Sequence, residues 1–420
     1  MRNIAIVAEY NPFHNGHKYQ IDYIKKELGA DNVIVIMSGN FVERGEPAIV
    51  NKRVRTEMAL ACGADMVIEL PTAYACASAE FFASCAVDIL DATGIVDGIC
   101  FGCETPDHEL LMELSKFFLN ESDEYKKLLN DYLKQGLSFP SARAKACKDC
   151  ISNNPLNGSA YNSAPNNIEA FLNKPNNILA LEYVKELVRL DSKMEFFPLK
   201  REGSAYNSET LEGQYSSATA IRKALTISNN EVFDYVPKNA LDYLLNQKSF
   251  ASRDAFSDML LYKLLSEKAS GFASYLDGTE DLSNRILSNI SAYDSYSAFV
   301  DLLKSKNMTE SRISRFLLHI LLNIKESDVC RADDSGRKES LYARVLGIRN
   351  DKTELISLLN KNSAIPVVSI VNKDIKKLPC KAQELFSHDI FASDLYLSKT
   401  DKDTDYLSEY EYRLVKENFS

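Results

Sequence analysis

The first hundred residues alternate between short apolar runs and segments with helical spacing, and this alternation constrains the fold more than any other feature. The runs NIAIVAEY, NVIVIM and ADMVIEL are nearly continuously apolar, which is typical of strands buried on both faces. Helical patterns follow them, such as Ile21, Ile24 and Leu28 on one face of HKYQIDYIKKEL. The pattern predicts repeated β-α-β units, and therefore an α/β fold with a doubly wound parallel sheet.

The pattern changes along the 420 residues, a length that predicts roughly two or three domains. Strand and helix patterns return in KMEFFPLKRE and SSATAIRKAL, so the sheet domain is expected to end near residue 225. Beyond it the pattern is helical to about Lys325, and SAIPVVSIVNKDI adds a candidate strand. We predict a sheet domain over residues 1–225 and a mostly helical domain over 226–420.

Composition limits the classes of protein to which the chain can belong. No run approaches the ~18 apolar residues that a membrane helix requires, and the first apolar run is too short for a signal peptide. Nine cysteines, an odd number, favour reduced thiols in the cytoplasm. The net charge of −10 argues against a protein that coats nucleic acid non-specifically, but it does not exclude a local basic patch.

Two C-x-x-C pairs have the spacing of a possible zinc site. They are Cys100 with Cys103 and Cys147 with Cys150, and four thiolates can hold a structural zinc. The first pair straddles a strand end and the second lies in a helical pattern without turn glycines. We therefore favour free thiols and predict no protein-held metal.

The segment YNPFHNGH follows the first predicted strand and holds two of the five histidines of the chain. Pro12 ends the strand, Gly16 allows a close backbone approach, and the helix that follows directs its N-terminal amides and positive dipole end towards a ligand. Such a helix start is an anion site. His14 and His17 add N–H donors that suit charge developing on phosphate during attack on a nucleotide. A pair of histidines that only cap the helix is the alternative.

The same residues resemble the HxGH motif of the nucleotidyltransferase superfamily, which includes class I aminoacyl-tRNA synthetases. A second superfamily motif, I-S-S-T-x-I-R, is matched by SSATAIR, with Ser217, Thr219 and Arg222 in the expected places. Ala218 departs from the usual second serine, which weakens one phosphate contact. Two motifs in the expected order are more specific than either alone, and they imply a Rossmann-like nucleotidyltransferase domain.

Longer strings extend the resemblance over most of the first 225 residues. VAEYNPFHNGH, MSGNFVERGEPAIVNKRVRTEMAL, ADMVIELP, FGCE and KPNNILALEYVKEL are similar to the bacterial tRNA(Met) cytidine acetate ligase family. That resemblance implies an enzyme that activates acetate with ATP as acetyl-adenylate. It also implies transfer of the acetyl group to the exocyclic amine of the wobble cytidine in elongator tRNA(Met). ATP with Mg²⁺, acetate and this tRNA are then the expected ligands, without DNA or a membrane.

The resemblance also implies the residues of the site. His14, His17 and Arg222 are expected to be catalytic, Arg222 and Ser217 neutralising pyrophosphate. The expected ATP contacts are Val7, Ala8, Glu9, Tyr10, Asn11, Pro12, Phe13, His14, Asn15, Gly16, His17, Lys18, Tyr19, Gln20, Gly102, an asparagine of the PNN run (Asn176 or Asn177), Arg201, Ser217 and Thr219. For Asn176 and Asn177 a helix start is an equal interpretation.

Basic residues in helical patterns are candidates for tRNA contacts. Lys52 and Arg55 share one helix face, and Arg312 and Arg315 share another. A solvated helix face is the alternative for both pairs.

Two other functions compete with the acetate ligase. A nicotinate- or pantetheine-type adenylyltransferase would use the same motifs, but such enzymes are usually a single sheet domain. A non-catalytic RNA-binding nucleotide sensor has no need to stabilise a transition state, so both histidines and the arginine argue against it.

Overall fold

A computed structural model describes residues 1–153, 165–201, 216–227, 232–305, 308–330, 337–400 and 408–417. Contacts divide the chain into two units. The first unit comprises Met1–Asp97 together with Glu202–Ser420, and the second comprises Gly98–Arg201.

The strands of the described residues are short and mostly buried. They are β1 (Asn3–Ala8), β2 (Asn32–Ser38), β3 (Phe41–Val42), β4 (Glu46–Pro47), β5 (Met66–Leu70), β6 (Gly98–Cys103), β7 (Glu195–Lys200), β8 (Ala343–Arg349), β9 (Val367–Val368) and β10 (Val415–Glu417).

Helices make up most of the rest. They are α1 (Asn15–Lys26), α2 (Lys52–Ala61), α3 (Thr72–Ala75), α4 (Ala79–Thr93), α5 (His108–Leu119), α6 (Asp123–Lys134), α7 (Phe139–Asn153), α8 (Pro165–Leu172), α9 (Pro175–Arg189), α10 (Ala218–Ile227), α11 (Lys238–Leu245), α12 (Ser257–Glu267), α13 (Glu280–Asn289), α14 (Tyr296–Leu303), α15 (Glu310–Leu322), α16 (Arg337–Ser340), α17 (Glu354–Asn362), α18 (Val371–Asp374) and α19 (Cys380–Leu397). Short 3₁₀ turns lie at Arg253–Phe256, Ile290–Ala292, Glu326–Asp328, Asn350–Lys352, Ile375–Lys377 and Glu409–Glu411. None of the helices in the described residues is long and apolar enough to cross a membrane.

The sheet of the first unit runs in the order β10-β8-β5-β2-β1. Strand β1 pairs in parallel with β2, with Ala8 opposite Met37, and β2 pairs in parallel with β5, with Ser38 opposite Leu70. All residues of β2 and β5 are buried, as their continuous apolar runs predict. Because parallel strands end at the same edge, the residues after β1, β2 and β5 lie together, where ligands of such sheets bind.

The sheet does not stop near residue 225. Strand β8 pairs antiparallel with β5, and β9 and β10 pair in parallel with β8. These strands lie inside the region predicted to be mostly helical. All seven residues of β8 are buried. Its sequence, ARVLGIR, is that of a core strand although it contains two arginines. The α/β class is confirmed, and three strands that follow residue 225 belong to the same sheet.

The second unit has its own pair of parallel strands, β6 and β7, with Gly102 opposite Leu199 and Cys103 opposite Lys200. Helices α5 to α9 accompany them; α5 packs against α9, and α9 packs against β6. The predicted domain limits at 225 and 226 stay a prediction.

A buried ion network ties the end of the chain to the sheet of the first unit. Lys52 donates to both carboxylate oxygens of Glu69, at 2.7 and 2.9 Å, and lies 2.9 Å from Oε2 of Glu409. Arg344 lies 3.2 Å from the other oxygen of Glu409. None of these four side chains exposes more than 1% of its surface. A buried charge is tolerated only with such partners.

Removal of the central cation should therefore be costly. We expect Lys52→Met to lower the free energy of unfolding by about 3–5 kcal/mol, because Glu69 and Glu409 would stay buried without their shared cation. Urea denaturation measures the change. The matched control is Lys377→Met, which removes an ion pair of a lysine that is 62% exposed and should cost less than about 1 kcal/mol. Equal effects of the two variants would contradict a stabilising role for the network.

Candidate active site

The segment after β1 is held in place from several sides. The side-chain oxygen of Asn11 accepts a hydrogen bond from the backbone N–H of Ile49 at 2.7 Å. The backbone carbonyl oxygen of Asn11 accepts a hydrogen bond from Arg222 at 2.8 Å. Tyr10 adopts a positive φ of 49° and is buried, with its ring edge-on to those of Phe13 and His17. The loop is therefore packed and bonded before any ligand arrives.

His14 and His17 cap helix α1 together. The Nδ1 atom of His14 accepts the N–H of Gly16 at 3.1 Å, and Nδ1 of His17 accepts the N–H of His14 at 3.2 Å. The two rings stack with centroids 3.7 Å apart. Because each Nδ1 accepts a backbone N–H, each neutral ring carries its proton on Nε2. Capping and donation to a ligand thus use different nitrogens, so the structural and the catalytic interpretations are compatible.

The amides of the first turn of α1 are engaged within the protein, which corrects the expectation that they bind phosphate. The N–H of Asn15 donates to the carbonyl of Tyr235 at 2.9 Å, and that of His17 donates to the carbonyl of His14 at 2.9 Å. The Gly16 amide donates to the His14 ring, as described above. The groups at this helix start that are suited to recognise an anion are therefore the imidazole Nε2–H groups, an arginine and the helix dipole.

Gly16 also serves a purpose other than the predicted approach of a ligand. A Cβ atom at this position would lie 3.0 Å from Cε1 of His14. The glycine therefore makes room for the capping ring.

The remaining residues of the first motif continue from strand to helix. Val7 and Ala8 end β1 opposite Ile36 and Met37. Pro12 and Phe13 are buried, and Lys18, on the first turns of α1, forms an ion pair with Asp22. Tyr19 and Gln20 lie partly exposed on α1.

The second motif lies against the first. Ser217 caps α10 by accepting the N–H of Ala220 at 3.1 Å, and Thr219 accepts a hydrogen bond from Arg222 at 3.3 Å. The same guanidinium reaches Asn11, as described above. Arg222 therefore joins two motifs that lie 211 positions apart in the sequence.

The second unit brings together its four predicted residues. Arg201 donates to the side chain of Asn176 at 3.4 Å, and a Cβ atom at Gly102 would lie 3.1 Å from Cγ of Arg201. Because Gly102 on β6 has no side chain, there is room for Arg201, which follows β7. Asn176 also donates to Glu104 at 2.7 Å.

Asn177 has a different role from its neighbour. It is fully buried, and its side-chain Oδ1 atom accepts hydrogen bonds from the backbone N–H groups of Glu104 and Thr105, both at 3.0 Å. Its side-chain Nδ2 atom donates to the backbone carbonyl of Phe171 at 3.2 Å. Asn177 therefore holds the chain that leaves β6, whereas Asn176 contacts Arg201.

Two of the proposed tRNA contacts are internal, which corrects that expectation. Lys52 and Arg55 have no exposed surface. Lys52 lies in the ion network, and the guanidinium of Arg55 donates to the carbonyls of Glu9 at 2.6 Å, Ser38 at 3.0 Å, Gly39, and Val50 at 3.1 Å. A fully buried side chain has no surface to offer to RNA. The helix pattern placed both on one face, but that face packs inward.

The other two lie on α15. Arg315 is 14% exposed and pairs with Glu43 at 3.1 Å and with Asp277 at 3.5 Å, so its charge is engaged by two carboxylates. Arg312 is partly exposed. Contact of Arg312 with tRNA stays a prediction.

The role of Arg55 in securing the strand ends could not be predicted from the sequence. Its four carbonyl partners follow β1, lie at the end of β2 and precede α2, which no local pattern connects. The signal in the sequence was the position of this arginine among apolar residues of α2, of which Val54, Met58 and Ala59 are also buried.

The cysteines are free thiols, and all four cysteines of the two C-x-x-C pairs are buried. Within the part of the chain that the structure describes, no group of three or more histidine, cysteine or acidic side chains is placed to hold a metal ion.

Comparison with known proteins gives the same class of protein as the two motifs. A family model described as "HIGH Nucleotidyl Transferase" matches residues 1–409. The chain belongs to this family of nucleotidyltransferases.

Individual relatives narrow the assignment. The tRNA(Met) cytidine acetate ligase of Clostridium perfringens is 39% identical over 399 residues, which cover 94% of this chain and 95% of that protein. The protein of the same name from Acetivibrio thermocellus is 38% identical over 411 residues. The chain therefore belongs to the tRNA(Met) cytidine acetate ligase family, and the resemblance seen in its motifs is confirmed.

Solved structures agree with this assignment. A crystal structure of apo Thermotoga maritima TmcAL matches with a TM-score of 0.90 at 30% identity, and it covers 99% of this chain and 100% of that one. A crystal structure of the same protein bound with alpha-thio ATP matches with a TM-score of 0.88.

The two asparagines of the second unit should respond differently to truncation. Asn177→Ala removes the acceptor of the backbone N–H groups of Glu104 and Thr105, so we expect the loss of two hydrogen bonds to lower the free energy of unfolding by about 1–3 kcal/mol. Asn176→Ala, whose partners can be hydrated, should cost less. Thermal and urea denaturation of both variants provide the comparison, and a larger loss for Asn176→Ala would contradict these assignments.

Proposed function

We propose that this chain is an ATP-dependent ligase that activates acetate as acetyl-adenylate and acetylates the exocyclic amine of the wobble cytidine in elongator tRNA(Met). The observation that carries the proposal is the hydrogen bond from Arg222 to Asn11. It brings the arginine of the second motif onto the loop that holds His14 and His17, at the carboxyl end of β1.

The chemistry follows from these groups. Acetate attacks the α-phosphorus of ATP and pyrophosphate leaves, so negative charge accumulates on phosphate oxygens. Two imidazole Nε2–H donors and a planar guanidinium stabilise such charge without a covalent enzyme intermediate. Ser217 and Thr219 flank the arginine. Adenylation makes acetate electrophilic enough for a cytidine amine, whose lone pair is delocalised into the ring.

The nucleotide contacts are proposed separately for the two units. In the first unit they are residues Val7 to Gln20, Ser217 and Thr219. In the second unit they are Gly102, Asn176 and Arg201, where the exposed arginine offers a charged fork and the glycine adds no side chain. Asn177 supports this cluster through the backbone after β6.

Mg²⁺ is expected to accompany the nucleotide. Mg²⁺ is usually bound by one or two carboxylates together with substrate phosphates. The described residues offer no cluster of histidine, cysteine or acidic side chains that could hold the ion by themselves. We place the reaction in the cytoplasm, where ATP, acetate and tRNA meet, and propose no DNA partner.

The activity is tested by incubating the protein with ATP, labelled acetate and tRNA that lacks the modification. We expect label in tRNA(Met) that depends on ATP. ATP–pyrophosphate exchange with a nicotinate or pantetheine substrate, without label in tRNA, would indicate a small-molecule adenylyltransferase instead. Nucleotide binding without either reaction would indicate a sensor.

The dual role of the histidines gives a sharper test. In His14→Asn the side-chain oxygen can take the place of Nδ1, and Asn is a favoured N-cap residue, so stability should stay near that of the wild type. The Nε2–H donor is lost, and adenylation should fall about 10²–10³-fold. His14→Ala, which loses both groups, should reduce activity equally and also lower the free energy of unfolding by about 1 kcal/mol. Unchanged adenylation in His14→Asn would leave His14 with a capping role only.

A further inference from the structure

Glu9 is the first residue after β1, and the structure fixes both its backbone and its side chain. Its carbonyl oxygen accepts a hydrogen bond from the guanidinium of Arg55 at 2.6 Å. Its Oε1 atom accepts the backbone N–H of Glu43 at 2.8 Å. The residue keeps partial exposure, in contrast to Tyr10, Asn11 and Phe13 beside it, which are buried. The carboxylate is therefore held in a fixed position at the strand edge.

The donor that orients this carboxylate is itself anchored. Glu43 lies in the turn between β3 and β4, and its side chain pairs with Arg315 of α15 at 3.1 Å. In the same turn, the carbonyl of Gly45 accepts a hydrogen bond from Ser314 at 2.8 Å. A Cβ atom at Gly45, whose φ is +76°, would lie 2.2 Å from the backbone nitrogen of Arg315. Helix α15 thus fixes the turn, and the turn fixes Glu9.

The surrounding groups make this carboxylate more basic than an ordinary glutamate. Burial raises the pKa of Glu9 most, and the charge of Glu43 raises it further. The hydrogen bond from the backbone of Glu43 lowers the pKa of Glu9, and so do the positive charges of Arg222 and Arg44. Burial raises the pKa of the Cys76 thiol, which follows α3, and the charge of Glu9 raises it further. A carboxylate that is held in a fixed position by hydrogen bonds and has a raised proton affinity has the properties of a general base.

The two half-reactions differ in whether they release a proton. Acetate is already an anion, so its attack on ATP requires no base. In the second half-reaction the cytidine amine attacks the acetyl carbon, a C–N bond forms, and the C–O bond to the phosphate breaks with AMP leaving as the anion. The amine nitrogen must then lose one proton. Only this transfer step needs a proton acceptor.

Resting on the proposed function, we propose that Glu9 is the general base that takes the proton from the cytidine amine during acetyl transfer. The carboxylate becomes a carboxylic acid as the amide forms, and it returns the proton to water after the product leaves. Glu9 then has no essential part in adenylation, although it lies beside the residues that perform it.

The test separates the half-reactions in Glu9→Gln, which still accepts the hydrogen bond from Glu43 but is not basic. Acetate-dependent ATP–pyrophosphate exchange measures adenylation. Single-turnover transfer from synthetic acetyl-adenylate to unmodified tRNA(Met) measures the second step. We expect transfer to fall about 10²–10⁴-fold. Exchange should fall much less than transfer, because Glu9 is a proposed nucleotide contact but takes up no proton during adenylation. Glu9→Asp, which keeps a carboxylate, should recover part of the transfer rate.

A second variant tests the base through its pH dependence. A general base acts when deprotonated, so transfer rises as pH increases through the pKa of Glu9. Glu43→Gln removes a like charge and lowers that pKa, so the rising limb should move to lower pH. Glu46→Gln makes the same charge change on the same hairpin, but Glu46 is not among the charges that act on Glu9. Its profile should match that of the wild type.

The outcomes distinguish this inference from the proposed function. If the wild type acetylates no tRNA, the proposed function fails. If the wild type is active, transfer that is unchanged in Glu9→Gln, or exchange that falls as much as transfer, overturns the role of Glu9 alone. A rising limb that does not move in Glu43→Gln also overturns it.

Discussion

One buried guanidinium holds together the edge of the sheet on which the site is built. Arg55 donates to carbonyls after β1, at the end of β2 and before α2, and it has no exposed surface. Backbone carbonyls at strand ends need donors once they are removed from water. Because the donor here is a single rigid fork, the segments that carry Glu9 and the histidine motif keep a fixed relation to β2. The positions of the groups proposed to be catalytic depend on this relation.

The histidine pair shows how one side chain can meet two demands. A helix start needs acceptors for its first N–H groups, and a phosphate site needs donors. His14 and His17 supply acceptors through Nδ1, which leaves the proton on Nε2. An alanine or a leucine could do neither, and an aspartate would cap the helix but repel phosphate. The two nitrogens of an imidazole can serve as cap acceptor and as donor, and this is why imidazoles suit the motif, with a glycine beside them.

The C-terminal half of the chain contributes to the site mainly through support. Strands β8 and β10 extend the sheet, Glu409 neutralises Lys52, and α15 holds the turn that orients Glu9. Most of these contacts join residues separated by more than 200 positions. The boundary near residue 225 was expected because the local pattern changes there, yet the sheet uses strands from both sides of it.

The sequence by itself determined the alternation of strand and helix, the place of the two motifs at strand and helix ends, and the family. These are properties of local spacing and residue type, and a strand or helix pattern is legible within a dozen residues. Only the tertiary structure decided that Lys52 and Arg55 point inward, that the amides of α1 are already engaged, that Asn177 supports the backbone, and that Arg222 meets Asn11. Each of these depends on which distant segment supplies the partner, and a helix face of charged residues has the same spacing whether it is solvated or buried against carbonyls.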